Sequence, residues 1–483
     1  MGPVRNACQG LIASFVLSIS FSLGQDLVEP TGFDPSRYAS TQAIAPVTSF
    51  DSLQSDVVKP TESPSVQLIA DSKNDELAAV LKRLDKLEKT VVKPKEDPNK
   101  WTVKLGGHVQ LDYVNWAGAD ASVPDAQDYF EFRRLRLTAE GTGYRVFDFR
   151  LQMTLEPETI GETLPIGIVS SPDVKDAYLS MNEILGLGRF RIGNFFVPFG
   201  LEQVTNDTNN IFLERSIPTQ GVFTPDREVG LAFYNCTSDK NLTWSTGMFL
   251  DSISESLKER LDDNQGYRLS GRVTALPYYD EASNGRYLLH IGAGVLYTDD
   301  QNNIVRIRAR PQIHEGPRLI DSGFIAADTY TTGNLESAVV LGSFAVQSEA
   351  YLSSIDRNSG DATTIGGAYI HCSYFLTGEN RIFERFGQHG AQFGRNKPKT
   401  TFFLKRGKGC SGWGAWEAKA RWSNLNLQNL NRGEYNDLTI GLNWYWTDRT
   451  RIMFDWIHPV TSSATIVGNT TSDILATRFD FNW

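Results

Sequence analysis

The sequence predicts an all-β chain: a 16-stranded antiparallel β-barrel of the transmembrane type, preceded by a short α-helical coiled coil. Three observations carry that expectation. Period-two alternation of apolar and polar residues dominates from Trp101 to Trp483. The alternating segments are about ten residues long, the length of a tilted membrane-crossing strand, and they come in an even number. One connection, residues 197–227, is too long for a turn and too apolar for a disordered loop.

Composition removes several function classes. The 483 residues include 47 Lys and Arg against 57 Asp and Glu, a net charge of −10, which argues against a nucleic-acid partner. After the first thirty positions no run of eighteen apolar residues occurs, so no membrane-spanning helix is expected. Outside the leader, Cys236, Cys372 and Cys410 are odd in number and far apart, and are read as isolated thiols. The histidines at 108, 290, 314, 371, 389 and 458 form no His-Glu-x-x-His motif, and there is no Gly-x-Ser-x-Gly or phosphate-binding Gly-rich loop. No cofactor, no metal and no enzymatic activity are expected, although a Ser, His and Asp meeting across strands stays open.

In chain order, residues 1–24 read as a signal peptide: Arg5, then a short apolar core from Leu11 to Leu23, with Ser22 and Gly24 before the cleavage point. The chain is thus expected to be exported. Residues 25–73, rich in Pro, Ser, Thr and Asp, read as a flexible linker. In 74–93, Leu77, Val80, Leu84, Leu87 and Val91 occupy the a and d positions of a heptad repeat, with Arg83 and Glu88 placed to pair between parallel chains. So short a coiled coil needs an oligomeric body to hold the copies together; a lone surface helix is the other reading. Pro94 and Pro98 mark 94–100 as a spacer.

Residues 101–483 form the barrel domain. Val103, Leu105, Val109, Leu111 and Tyr113 alternate with polar neighbours, as do Phe147, Phe149, Leu151 and Met153, then Ile440, Leu442, Trp444 and Trp446. Strands are expected at 102–116, 127–140, 144–155, 172–182, 187–196, 228–236, 241–250, 265–276, 286–298, 336–342, 344–355, 363–376, 413–424, 435–446, 449–458 and 474–483. One long strand over 336–355 is an alternative to two. Short connections are expected to face longer ones at 156–171, 299–333 and 377–412. A soluble β-sandwich shares the alternation; the strand count, the aromatic strand ends and the terminal Trp483 favour the barrel.

With apolar residues facing lipid, Lys104, Arg134, Arg136, Arg150, Arg189, Arg191, Arg268, Arg272, Lys419, Arg421, Arg451 and Arg478 face the lumen. Fewer acids accompany them: Asp112, Glu140, Asp148, Asp176, Glu349, Glu417, Asp455 and Asp480. Such a wall either attracts anions, because a narrow conduit focuses its field, or holds its own shape through cross-strand ion pairs. The 197–227 connection, with Pro198, Phe199 and Phe212 among its residues, is expected to fold into the lumen as a constriction, its apolar side chains packing on the inner wall and Glu202, Asp207, Glu214, Arg215, Asp226 and Arg227 lying near the path. Packing outward on a neighbouring subunit is its alternative.

Residues 187–216, Phe375-Leu376-Thr377-Gly378-Glu379, the stretch from Gly414-Ala415-Trp416-Glu417 to Arg421, and Gly441-Leu442-Asn443-Trp444-Tyr445 together resemble the phosphate-selective porin O and P family. Phe132-Arg133-Arg134-Leu135-Arg136 is similar to that family's arginine-rich early strand. The resemblance implies a homotrimeric outer-membrane porin that passes small hydrophilic solutes, anions such as phosphate among them. It also implies an arginine ladder and a lysine cluster along the channel. Arg134 and Arg136 match the first, and no lysine-rich segment matches the second. A barrel that tethers the outer membrane to another envelope layer is the alternative function, with a barrel enzyme behind it.

Overall fold

The computed structural model describes residues 100–156, 173–250, 265–402 and 412–483. The expected signal peptide, linker and coiled coil, and Cys410, lie outside the described residues. The chain divides into two compact units, Met1–Val92 and Lys93–Trp483, and every described residue belongs to the second.

Its wall is one antiparallel sheet: β1 (Lys104–Ala119), β2 (Tyr129–Gly143), β3 (Phe147–Thr154), β4 (Asp173–Ile184), β5 (Gly188–Phe196), β6 (Arg227–Cys236), β7 (Leu242–Leu250), β8 (Tyr267–Tyr279), β9 (Tyr287–Asp299), β10 (Ile325–Leu341), β11 (Phe344–Arg357), β12 (Thr363–Phe375), β13 (Ala415–Asn426), β14 (Glu434–Tyr445), β15 (Thr450–Thr461) and β16 (Thr470–Asn482). Each strand pairs with the next, and β16 pairs back on β1, so the sixteen strands close without a free edge. At the seam the Gly107 and Trp483 backbones exchange hydrogen bonds of 3.4 and 3.2 Å. A Cβ on Gly107 would sit 2.0 Å from the Trp483 ring, which is why the seam takes glycine there.

The side chains invert the pattern of a soluble protein. Leu335, Leu352 and Val273 are exposed outward, whereas Arg191, Arg421 and Arg478 are among the largest fully buried side chains. A β-sandwich would bury the apolar face; this sheet turns it out, as a lipid-facing wall must. Along β13 the alternation puts Glu417, Lys419, Arg421 and Ser423 inside and Trp422 outside.

Two expectations need correction. The two strands expected over 336–355 are present, joined at Gly342 and Ser343, but the first of them, β10, starts at Ile325, so the connection expected over 299–333 is shorter. The 377–412 connection does not belong with the long loops. β12 runs toward the end that carries the start of β1 and the end of β16, where its exit is beside the short turns: the Phe375 N–H donates to the carbonyl O of Ser343 (3.0 Å). Arg385 reaches Glu281 (2.7 Å) and the carbonyl O of Asp239 (2.9 Å) in two other turns of that end.

Candidate functional site: an obstructed lumen

After β5 the missing amide of Pro198 ends the ladder. Gly200 then takes φ 77°, where a Cβ would lie 2.7 Å from the Tyr351 hydroxyl, and a single helical turn, α1 (Leu201–Val204), follows. Glu349 on β11 accepts the N–H groups of Leu201 (2.7 Å) and Glu202 (2.8 Å). The loop is then bound to walls far from β5. Arg421 meets Glu202 at 3.2 Å, Lys419 donates to the carbonyl O of Ile211 (2.5 Å), and Arg451 donates to that of Asn210 (2.7 Å). Asp455 accepts the Leu213 N–H (3.0 Å), and Glu214 takes Arg478 and Arg133, each at 2.7 Å. Contacts with β2, β11, β13, β15 and β16 from a loop rooted between β5 and β6 require it to cross the lumen. The outward-packing alternative is thereby overturned. Phe199 and Phe212 are buried, Phe212 with the Arg421 guanidinium 4.1 Å from its ring centroid.

A second obstruction enters from the opposite end. Phe383–Gly387 and Gly390–Phe393 form a hairpin inside the barrel. Arg191 donates to the carbonyl O of Gln388 (2.9 Å), Arg189 to that of Gly387 (2.9 Å) and Arg272 to that of Ala391 (3.0 Å). The two intruders touch: the Phe393 N–H donates to Thr205 Oγ1 (3.3 Å), and Asn209 Nδ2 donates to the Phe393 carbonyl O (3.2 Å). Nothing in the period-two reading pointed to this hairpin; the aromatic residues Phe383, Phe386 and Phe393 inside a connection were its only trace.

Beside the constriction loop lies a cavity of about 450 Å³, with eight Lys and Arg side chains and five carboxylates in its lining. Asp207 lies against three guanidiniums: Arg215 (2.8 Å), Arg136 (2.9 Å) and Arg134 (3.2 Å). Burial alone would push the Asp207 carboxyl up, but Arg134, Arg215 and Arg136 hold it well below the usual carboxylate range. Glu214, also buried, is held well below its usual range by Arg133 and Arg478. Arg133 escaped the sequence reading because a bulge at Gln110/Leu111 breaks the alternation, leaving Arg133 and Arg134 both on the lumen side. Arg310 and Arg318 reach the cavity from the connection between β9 and β10. Burial, then Arg310 and Arg308, push Arg318 down to about 10. A small cavity of about 10 Å³ includes Thr208, Asn209, Arg395, Arg449 and Arg451. Asp207 lines the large cavity and its neighbour Thr208 the small one, so the loop tip separates them.

Of the twelve wall cations singled out from the sequence, Arg134 and Arg136 line the large cavity and Arg451 the small one. Arg189, Arg191 and Arg272 grip the hairpin, and Lys419 and Arg421 grip the constriction loop. Arg150 bridges Glu140 (2.9 Å) and Asp176 (3.0 Å), and Arg268 pairs with Glu228. Lys104 is exposed at the rim. Within the loop, Asp207, Glu214 and Arg215 face the large cavity, while Pro198, Phe199, Glu202 and Phe212 are packed beneath.

A closed barrel with an apolar exterior, an ionised lumen and obstructions from both ends has the architecture of an outer-membrane channel. The chain belongs to the phosphate-selective porin O and P family, whose sequence profile matches residues 103–483. Porin O of Pseudomonas aeruginosa is 24% identical over 419 residues, covering 79% of this chain and 88% of that one. A Caulobacter vibrioides protein described as uncharacterized is 26% identical over 338 residues, covering 68% of this chain and 62% of that protein, so the match spans less than two thirds of that relative. Among solved structures, an anion-selective porin from Comamonas acidovorans is 13% identical with a TM-score of 0.46, covering 79% of this chain and 99% of that one. OmpT of Vibrio cholerae is 8% identical with a TM-score of 0.47 and the same coverages.

Proposed function

We propose that this barrel is an outer-membrane porin, a trimer in the membrane, through which small hydrophilic anions, phosphate among them, diffuse passively. The observation that supports an anion preference is a charge imbalance at the constriction. Arg133, Arg134, Arg136, Arg215 and Arg478 share Asp207, Glu214, Glu156 and Asp112 (five cations, four carboxylates, a surplus of one). Arg318 adds a cation with no ion pair among the described residues. Guanidiniums crowded at this density favour an oxyanion that can take their remaining N–H groups in a fork. The acids of the loop are neutralised by the wall, so the wall sets the sign of the field.

Reversal potentials in planar bilayers under a potassium chloride gradient test this reading. The wild-type pore is expected to reverse on the anion side, and the Arg134→Ala/Arg136→Ala variant closer to zero. A cation-side reversal for the wild type overturns the anion preference, and absence of conductance overturns the channel.

A further inference from the structure

Between β9 and β10, the turn at residues 313–316 leans on the lumen face of β2. Arg310 fixes that turn from within, its Nε donating to the carbonyl O of Gly316 (3.0 Å) and its Nη1 to that of His314 (2.9 Å). Gly316 takes φ 128°, a conformation that favours glycine. The turn brings the adjacent side chains of His314 and Glu315 to Glu131 on β2. His314 Nδ1 lies 2.8 Å from Glu131 Oε2 and 3.7 Å from Glu315 Oε1. One possible ligand atom from each of the three residues lies within 4.8 Å of the other two.

The imidazole accounts for only one oxygen of Glu131. That side chain is 8% exposed, and its second oxygen, Oε1, is buried with no hydrogen-bond partner among the described residues. A bare buried carboxylate oxygen is costly, and such an atom in a native structure asks for an unseen partner. Arg310 does not supply it: its Nη2 stands 3.8 Å from Glu315 Oε2, on the other side of the cluster.

We propose that Glu131, His314 and Glu315 form a binding site for a divalent transition metal of the zinc class at the end of the barrel opposite Trp483. One imidazole nitrogen and two carboxylates suit Zn²⁺, Co²⁺ or Mn²⁺ better than Mg²⁺ or Ca²⁺, which prefer oxygen ligands alone. Binding needs Nδ1 free of its proton, which moves to Nε2 or to solvent. Three protein ligands leave a coordination position for water or an anion. Because His314 lines the large cavity, the metal offsets two carboxylate charges beside the arginine cluster. It also ties the β9–β10 connection to the wall. Spacing in sequence conceals the set, since His314 and Glu131 are 183 positions apart. The site stands whether or not the pore prefers anions, since binding is read directly.

The test is titration of the full-length protein in detergent, stripped with chelator and free of phosphate, with Zn²⁺ alone by calorimetry and with Co²⁺ by visible absorption. One saturable site per chain is expected, with Mg²⁺ unable to compete. His314→Ala and Glu131→Gln should each weaken it at least tenfold while the purified barrel keeps its β-sheet circular dichroism. In bilayers Zn²⁺ should shift the reversal potential toward the anion side in wild type and not in His314→Ala. Absence of saturable binding in wild type, or equally tight binding by His314→Ala, overturns the site; a binding site without the electrical shift overturns its influence on the pore.

Discussion

Arg478 of the last strand holds Glu214 of the constriction loop at 2.7 Å, although 264 positions separate them in the sequence. The same guanidinium grips Asp112 on the first strand through two bonds of 2.7 and 2.6 Å. One side chain therefore joins the barrel seam to its obstruction. Replacing it by Ala leaves two buried carboxylates short of a partner, a change that costs ~3–5 kcal/mol when a buried ion pair is broken. Arg478→Ala should lower the urea midpoint followed by tryptophan fluorescence, and current noise should rise as the loop loosens. An unchanged midpoint would mean the pair adds nothing to the folded state.

Asp207 should restrain the field that it sits in. Asp207→Asn removes a negative charge from among three arginines. Unit charges 4 Å apart interact by ~1 kcal/mol in water, so anion-to-cation permeability should rise about fivefold. Bi-ionic potentials measure it, and a fall in the ratio contradicts the charge argument.

The pH dependence follows from the depressed carboxyls. A carboxyl whose folded value is lowered contributes stability that is fully present above its unfolded value of about 4 and is lost as pH falls through the folded value. Asp207 and Glu214 are both lowered. The selectivity difference between wild type and Asp207→Asn should thus stay constant from pH 7 down to about 4. It should vanish only in stronger acid, once the wild-type carboxyl takes its proton. Convergence of the two proteins already near pH 5 would contradict the depressed value.

The inner hairpin should limit conductance. Deleting residues 384–392 and closing the gap with glycines removes the groups that Arg189, Arg191 and Arg272 hold. Single-channel conductance should rise severalfold, because the constriction loop then narrows only part of the lumen. Conductance equal to wild type would mean the path runs clear of the hairpin.

The wall was legible wherever one face of a strand is strongly apolar. β14, with Ile440 and Leu442 facing out against buried Thr439 and Asn443, is a case where period two is enough. β10 was cut short because its outward residues Thr331 and Gly333 are not apolar, although Thr332 and Asn334 are buried inside. The constriction loop could be placed in the lumen because it is long, apolar and begins at Pro198. Its partners could not be named, since alternation gives the face of a residue but not its neighbour across a lumen. Arg133 was lost to a one-residue bulge. The hairpin was hidden because its ligands, Arg189, Arg191 and Arg272, sit on distant strands.

The contact between Phe393 and Thr205 has a consequence for biogenesis. It joins segments 188 positions apart, and each of those segments must also find walls on distant strands. Chain entropy opposes such pairings until the strands that frame them are in place. A freshly closed barrel would therefore be a wide, leaky tube, dangerous to the envelope until both intruders dock. Their mutual hydrogen bonds make docking of one favour docking of the other, which shortens the time during which the membrane stands open.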